Sequence, residues 1–501
     1  MGKSKLDSFL WEQIPFDNFI FPEHFDIKQE NMDELPIENV DELRVSRDDD
    51  YNIKISCVRH IKSFNDIKPK RKARGQDYLS GTSIPEGKIE IKLSENYFVD
   101  FAPCYYNGYK SNFNKTEYQL SCDHIEGRCT SKKAGVIKEW VLNGSQSGLY
   151  FCRNRTFEYK FGATSGLYGD MEFPIKESLA EQEYDGRFIH IKYKDTAFDV
   201  HFVSDIYGPK WSTNLSISYF EKYGRIPSIE ERNLIRDYLS FFIGKRLIYI
   251  GESSFDENGS EIGFVMKSPH TYGFDIKQIC LNGAKAPIKN ESDSLQNYFD
   301  VIQKYIEPFE TVYNKLDLES LFSAYWYAKE IAKPMDLPIL AGALEYLMKK
   351  WYEEVELNPE TVLMDKKDFS KRIKPIKELV ASQFEGTEYV ERMKRSIERM
   401  NGMSVNEQFE HFFEGIGMPL GDAEKRALKA RNISAHGAFR GNGSYQEHYM
   451  MSQVYTCIIT RVVLKLLSYT GKYVDYGTIG HPEKDINCPC GNTDTSDDKN
   501  P

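Results

Sequence analysis

The chain has 501 residues, of which 40% are hydrophobic and 28% charged, and its formal net charge is −11. This length predicts two or more domains, and the balance is that of a globular chain able to bury a sizeable core. The negative charge argues against bulk electrostatic adhesion to nucleic acid, although it leaves room for a local basic site.

The first half of the sequence is typical of strands. Apolar and polar residues alternate in four short runs, which predicts strands with one buried face. The runs span residues 51–58, 88–93, 187–193 and 197–203. Clusters of Gly, Asn, Asp and Ser between them indicate turns. The basic segment 68–75 is interpreted as a solvated loop, with a phosphate-contacting loop as the alternative.

A helix is predicted after Pro227, because Ser228 and Glu231 have the spacing of a capping box and Gly244 can end the helix. Two strands follow, at 246–251 and 262–266, separated by an Asn-Gly turn signal. A helix beside this strand pair, after many strands, predicts one α+β or mostly β domain, arranged as two packed β layers.

From about residue 292 the pattern becomes helical. Amphipathic stretches with short connections reach about residue 470 and predict a bundle of five or six helices. Pro375 predicts that the helix over 370–384 starts late or kinks. The fold class is therefore α+β multidomain: a strand-rich domain over 1–310, an all-α bundle over 316–471, and a polar, frayed tail over 472–501.

Cysteine usage and hydropathy indicate the compartment. The nine cysteines form no regular framework, which favours a reduced, cytoplasmic setting. No apolar stretch approaches 18 residues, so no membrane association is expected. Cys122, His124 and Cys129 could supply metal ligands, but they lack paired CxxC spacing. The tail segment Cys488-Pro489-Cys490, with His481 nearby, could hold a metal or form a redox pair. The preferred interpretation in both cases is free thiols, so no cofactor is expected.

The stretch that points most directly to chemistry is Arg431-Asn432-Ile433-Ser434-Ala435-His436, near the end of a predicted helix from 423 to 435. Arg431 and His436 are about 140° apart on an ideal helix, so they do not share a face. Gly437 is expected to end the helix and re-aim His436. Arg431 could hold a phosphodiester while His436 acts as general base or acid. Two copies across a twofold axis would supply both base and acid.

This motif resembles the Arg-x4–6-His signature of HEPN domains, including the polar residue directly after the arginine. The helical region resembles the HEPN module of ApeA-type anti-phage nucleases, and the strand-rich region is similar to their N-terminal domain. The resemblance implies a metal-independent endoribonuclease of abortive infection, with transfer RNA as a substrate class. It implies catalytic roles for Arg431 and His436, support from Asn432, a homodimer or higher homo-oligomer, and a phage-derived trigger. Glu345 is a further candidate for the active site.

Two other interpretations remain open. Lys425, Arg426, Lys429, Arg431 and Arg440 form a local basic patch that suits RNA, but a solvated helix face would look the same. The helical domain could thus be a catalytically silent dimerisation or RNA-binding module, with the strand-rich domain as the sensor. A metal-dependent enzyme using the cysteine and histidine cluster of the first half is the third interpretation.

Overall fold

The structure is a computed structural model of the chain, and it describes residues 19–20, 26–30, 40–60, 87–112, 114–144, 167–168, 171–172, 188–203, 212–257, 261–273, 275–289, 295–331, 335–355, 364–435 and 445–491. The backbone divides into two units. Unit 1 comprises residues 1–286 and 290–303, and unit 2 comprises residues 287–289 and 304–501. A strand-rich antiparallel region is followed by a helical region, so the chain is α+β and multidomain.

The described part of unit 1 holds fifteen strands and two α-helices. They are β1 (Phe19–Ile20), β2 (Asp26–Glu30), β3 (Glu42–Arg47), β4 (Ile53–His60), β5 (Gly87–Ser94), β6 (Tyr97–Ser111), β7 (Lys115–Cys129), β8 (Val136–Leu142), β9 (Leu167–Tyr168), β10 (Met171–Glu172), β11 (Phe188–Tyr193), β12 (Thr196–Val203), β13 (Asn214–Phe220), α1 (Ile229–Ile243), β14 (Ile248–Phe255), β15 (Glu261–Lys267) and α2 (Ile276–Leu281).

Thirteen of these strands form one antiparallel sheet, and β9 and β10 pair separately. The sheet runs β1-β3-β4-β7-β15-β14-β8-β13-β12-β11, and it branches at β7. One edge of β7 pairs with β6, while its other edge takes β4 and then β15. Both groups of strands are therefore joined in one hydrogen-bonded sheet, because the 15-residue β7 is long enough to pair with each of them. The arrangement as two packed β layers stays a prediction.

Alternation decides which face of the sheet is buried. Every second side chain of β3 is buried, and β4 alternates in the same way from Ile53 to Cys57, as period-two strands require. The buried faces of β3 to β8, β14 and β15 share one hydrophobic core with α2. Arg47 lies within this core region, where its guanidinium donates to the carbonyls of Tyr51 (2.6 Å), Lys267 (2.9 Å) and Ile250 (3.0 Å).

Helix α1 confirms the local prediction. Ser228 and Glu231 form the capping box, and Gly244 ends the helix in the left-handed conformation at φ 74°. A β-carbon at Gly244 would lie 2.0 Å from the Lys285 carbonyl carbon, so glycine is required there. Buried charges then join α1 to the sheet: Arg232 donates to Glu139 (3.0 Å) on β8 and to Glu252 (2.6 Å) on β14.

The helical region carries eight helices among the described residues, and a short hairpin follows them. They are α3 (Leu295–Leu316), α4 (Leu318–Glu330), α5 (Asp336–Glu354), α6 (Lys366–Gln383), α7 (Val390–Arg399), α8 (Val405–Gly415), α9 (Asp422–Ala435), α10 (Tyr445–Leu466), β16 (Lys472–Val474) and β17 (Glu483–Asp485). Helix α3 begins in unit 1 and continues into unit 2.

Two expectations about this region need correction. Helix α6 starts at Lys366 rather than late, and it accommodates Pro375 in its interior. Between 318 and 466 there are seven described helices rather than five or six. Helix α6 begins before Ser370 because Asp365 caps it: the Asp365 side chain accepts the backbone N–H groups of Lys367 and Asp368 in the first turn.

The expectation of a frayed tail is wrong for residues 472–491. Strands β16 and β17 pair, and Tyr473, Asp475 and Cys490 are fully buried. Val474 also donates to the Pro287 carbonyl at 2.9 Å, which places residues 287–289 in unit 2. The polar composition of this segment predicted a tail, but its polar groups form hydrogen bonds and ion pairs with one another inside the unit. Residues 492–501 lie outside the described residues.

Candidate active site in the helical unit

The motif identified in the sequence lies at the end of α9. Arg431 and Asn432 fall within this helix, whose backbone continues to Ala435. His436 is the next residue, and it lies outside the described residues, as do Gly437 and Arg440. The helical backbone through Ala435 keeps the predicted spacing: Arg431 and Asn432 are on the last turn and a half, with His436 directly beyond.

The start of α9 is anchored by a buried acid. Glu424 is fully buried, and its carboxylate accepts the Gly421 N–H at 2.9 Å, one of the free donors at a helix N-terminus. The same carboxylate forms an ion pair with Arg461 of α10. Because both groups are fully buried, the position of α9 against α10 depends on this pair.

Arg461 extends the anchor to the end of the described chain. Its guanidinium donates to the Pro419 carbonyl (3.2 Å) and to the Ile486 carbonyl (3.0 Å), and it lies 5.3 Å from the centre of the Tyr473 ring. Cys490 donates its backbone N–H to Glu424 at 3.2 Å. The segment predicted as a tail is therefore part of the structure that holds α9.

The two faces of α9 differ in burial and charge. Glu424 and Ala427 are fully buried, and α9 packs against α5 and α10. Position 431 follows 424 by seven residues, about two helical turns, so it belongs to the same face of the backbone. Lys425, Arg426 and Lys429 are exposed on other sides of the helix. The predicted basic patch thus exists for its described members.

Helix α5 contributes both an expected and an unexpected carboxylate. Glu345 is partly buried, and it pairs with Lys349 at 3.0 Å on its own helix. Asp336, at the start of α5, is fully buried and accepts a hydrogen bond from the Ser452 hydroxyl of α10. Sequence reasoning missed Asp336, Glu424 and Arg461. The available signal was an ionisable residue at an apolar-face position of a helix, which implies a partner elsewhere.

One histidine of α10 was also missed. His448 lies one turn before Ser452, near the start of α10, and is partly buried. Its Nε2 atom is shielded from solvent, and it has no hydrogen-bond partner among the residues that the structure describes. The segment 436–444, which connects the motif to α10, lies outside those residues. His448 is therefore a titratable group close in the chain to the predicted catalytic motif.

A buried cluster of two thiols and one carboxylate lies between α10 and the C-terminal hairpin. Cys457, Asp475 and Cys490 place their ligand atoms within 4.8 Å of one another. Of the predicted pair, Cys490 turns inward, whereas Cys488 is only partly buried. A hydrogen bond with Cys457, together with burial, raises the pKa of the Cys490 thiol. The Cys490 thiol is therefore neutral at physiological pH.

Asp475 is already well satisfied without a metal. Burial would raise its pKa, but hydrogen bonds from Cys490 (2.8 Å), the Gly491 N–H (2.9 Å) and Thr478 (2.6 Å) outweigh that effect and lower it. Lys484 adds an ion pair at 3.0 Å. Two sulfurs and one oxygen could contribute to a zinc site, but tetrahedral zinc needs a fourth ligand. The contacts favour a hydrogen-bonded centre that fixes the C-terminal hairpin.

The cysteine and histidine cluster proposed in the strand-rich half is not assembled. On β7 the Cys122 thiol points into the core, 3.7 Å from Cys104 Sγ, and donates to the His124 carbonyl. Cys129, seven residues further along the strand, pairs its thiol with Ser131 at 3.3 Å. Within the described residues, the metal-type grouping that forms is the one around Asp475. The metal interpretation of Cys122, His124 and Cys129 is therefore wrong.

Comparison with known proteins gives no family for this chain: no protein family, curated protein or solved structure matches it. Among the described helices, none combines the length and the apolar character that crossing a membrane requires. The site must therefore be interpreted from its own residues.

Proposed function

We propose that this protein is a metal-independent HEPN-type endoribonuclease of bacterial anti-phage defence, with Arg431 and His436 as catalytic residues and Asn432 in support. The observation that carries the proposal is the placement of the motif. Arg431 and Asn432 lie near the end of α9, a helix that is anchored at its start by a buried ion pair and packed on α5 and α10. His436 follows at once, before the chain enters α10.

The proposed reaction uses the RNA's own 2′-hydroxyl. A histidine removes the 2′-hydroxyl proton, the oxygen attacks the adjacent phosphorus, and a 2′,3′-cyclic phosphate forms. The bond to the 5′-oxygen breaks, and a second acid returns a proton to that leaving oxygen. Arg431 stabilises the charge on the phosphorane with a fixed guanidinium. No metal is required, because the nucleophile is intramolecular and the charge is balanced by side chains.

One copy of the motif supplies one histidine, whereas the reaction needs a base and an acid. We therefore place the site at a homodimer interface, where a second copy of α9 adds its own Arg431 and His436. The strand-rich unit would then restrain the nuclease until a phage-derived trigger binds. Transfer RNA is the proposed substrate class, in a cytoplasmic setting.

The direct test is cleavage of labelled transfer RNA by purified full-length protein, with and without a chelator. His436→Ala and Arg431→Ala should each lower the rate by about 100-fold or more, as loss of an acid–base group does. Lys277→Ala, an exposed change in unit 1, serves as the control and should cleave like the wild type. Equal cleavage by His436→Ala and wild type, or cleavage that stops with chelator, contradicts the proposal.

The alternative is a catalytically silent RNA-binding or dimerisation module, and the exposed Lys425, Arg426 and Lys429 on α9 favour it. These cations would bind a phosphate backbone whether or not His436 acts. Phage challenge separates the two. If the nuclease is correct, cells expressing His436→Ala lose both protection and RNA cleavage. If the protein only binds, purified wild type retains RNA without cutting it.

A further inference from the structure

The α6–α7 hairpin leaves most of its side chains exposed. Helix α6 has 18 residues and buries one side chain, Ile373, while the 10-residue α7 buries none. A surface helix normally buries a continuous apolar stripe against its own domain. Each helix packs mainly on the other. Most side chains of these two helices are therefore accessible to a binding partner.

The exposed part of α6 carries a dense positive charge. Between 366 and 377 there are six basic residues and one acid, a net charge of 6 − 1 = +5, in a chain whose total is −11. The basic residues are Lys366, Lys367, Lys371, Arg372, Lys374 and Lys377. Lys377 forms an ion pair with Glu398 of α7 and so ties the helices together. Among the described residues, no carboxylate is within ion-pair distance of the other five.

Four of these lysines share one concave surface. The side chains of Lys366, Lys367, Lys371 and Lys374 line an open depression with Ser370 and Asp365. Asp365 Oδ1 accepts the backbone N–H groups of Lys367 (2.8 Å) and Asp368 (3.2 Å), so one capping carboxylate faces four ammonium groups in this depression. Like charges at i, i+3 and i+4 repel, so this arrangement is relieved when an anion binds.

The same hairpin also exposes apolar and aromatic groups. Ile376 and Leu379 of α6 are 50% and 60% exposed, and Tyr389, at the start of α7, is 52% exposed. Phe384, at the end of α6, is 37% exposed. Single-stranded nucleic-acid sites combine cations that contact phosphates with exposed aromatic rings. This hairpin exposes both kinds of side chain.

We propose that the exposed basic face of α6, with Lys367, Lys371 and Lys374 as its main contacts, binds the phosphate backbone of single-stranded or loop RNA. This inference rests on the proposed nuclease function and adds a substrate-docking surface outside α9. Lys367, Lys371 and Lys374 are spaced i, i+4 and i+7, so they form one stripe about 10 Å long.

The test is RNA binding by two matched charge-reversal proteins of full length. The first carries Lys367→Glu, Lys371→Glu and Lys374→Glu. The control carries Lys277→Glu, Lys315→Glu and Lys472→Glu, three exposed lysines elsewhere, and therefore has the same net charge. Both are made with His436→Ala so that RNA stays intact. Anisotropy of fluorescein-labelled transfer RNA and of a single-stranded oligonucleotide is measured over a range of salt.

We expect the α6 protein to bind at least about 10-fold more weakly than its parent, with a salt slope lower by about 2, since each phosphate contact to a single strand contributes about 0.7. The control should bind within about twofold of the parent. Equal affinity of the two reversed proteins, whether high or low, overturns the inference. So does loss of binding to anionic phospholipid vesicles in the α6 protein while its RNA binding is unchanged.

The proposed nuclease fails separately. If RNA binding depends on this face but the wild type leaves transfer RNA uncut, the docking surface stands and the catalytic role is refuted. The α6 charge-reversal protein with an intact His436 is also assayed for cleavage, at substrate concentrations below saturation. If it cuts RNA at the wild-type rate, the docking surface is refuted and the nuclease proposal stands. Circular dichroism of each protein confirms that reversal has left the helices folded.

Discussion

At the scale of single residues, the charges that fix the candidate site are different from those that would perform its chemistry. Glu424 and Arg461 are fully buried and paired, so they position α9 without reaching solvent. Arg431 and His436 are the residues to which the proposal assigns chemistry. This division is common in enzymes, because a helix that carries a catalytic group must be held in place by residues that do not react.

The buried pair gives a stability prediction. Glu424→Gln removes the charge that balances Arg461 and leaves a buried cation with carbonyl partners only. Breaking a buried pair on one side costs about 3–5 kcal/mol, so the free energy of unfolding should fall by that amount in urea titration. Glu353→Gln, which breaks the exposed Lys350–Glu353 pair, is the control and should leave the transition unchanged. Equal transitions for both variants would contradict the assigned role of Glu424.

At the scale of elements, helix ends are the most informative features of this chain. The N-cap of α1 combines a capping box with a two-pronged ion pair, since Arg225 donates to both Glu231 oxygens at 2.5 and 2.7 Å. The hydrogen bond from Arg225 lowers the pKa of Glu231 to about 2. The carboxylate is thus more acidic in the folded state than in the unfolded chain, where its pKa is about 4.3.

The acid stability of unit 1 should reflect that difference. A depressed carboxylate pKa stabilises the fold above pH 4.3, and this contribution is lost as the pH falls from there towards 2, because the unfolded chain takes up the proton first. Allowing for solvent screening, we expect Glu231→Gln to cost about 1–2 kcal/mol at pH 7 and much less at pH 2.5. Urea titrations at both pH values test this; an equal cost at both would contradict it.

At the scale of the whole molecule, the proposed chemistry needs two chains. One α9 offers a single histidine at a helix end, and a base and an acid must flank the same phosphate. The sequence supplies one motif per chain, so we propose that the second histidine comes from another copy. The net charge of −11 makes the local basic surfaces on α6 and α9 selective rather than general attractors of RNA.

A mixing experiment tests the composite site. Wild type and His436→Ala are co-expressed in equal amounts, with different tags, and cleavage of transfer RNA is measured on the pooled protein. If both histidines are needed, only pairs of two wild-type chains cut, so activity should be about a quarter of the all-wild-type value. The same mixture made with Lys277→Ala should retain full activity. Activity of about half would show that each chain cuts alone.

The amino-acid sequence by itself determined most of the helices, the motif and six of the described strands, namely β4, β5, β11, β12, β14 and β15, because each depends on residues close together in the chain. The capping box at Ser228, the stop at Gly244 and the α9 boundaries all follow from local spacing. Only the tertiary structure decided the branching of the sheet at β7 and the burial within residues 472–491. It also decided which buried polar groups pair: Glu424 with Arg461, Asp475 with Cys490, and Asp336 with Ser452. Their partners lie 15 to 116 residues apart. No periodicity encodes such pairings, since they are chosen by which buried polar groups can satisfy one another once the helices have packed.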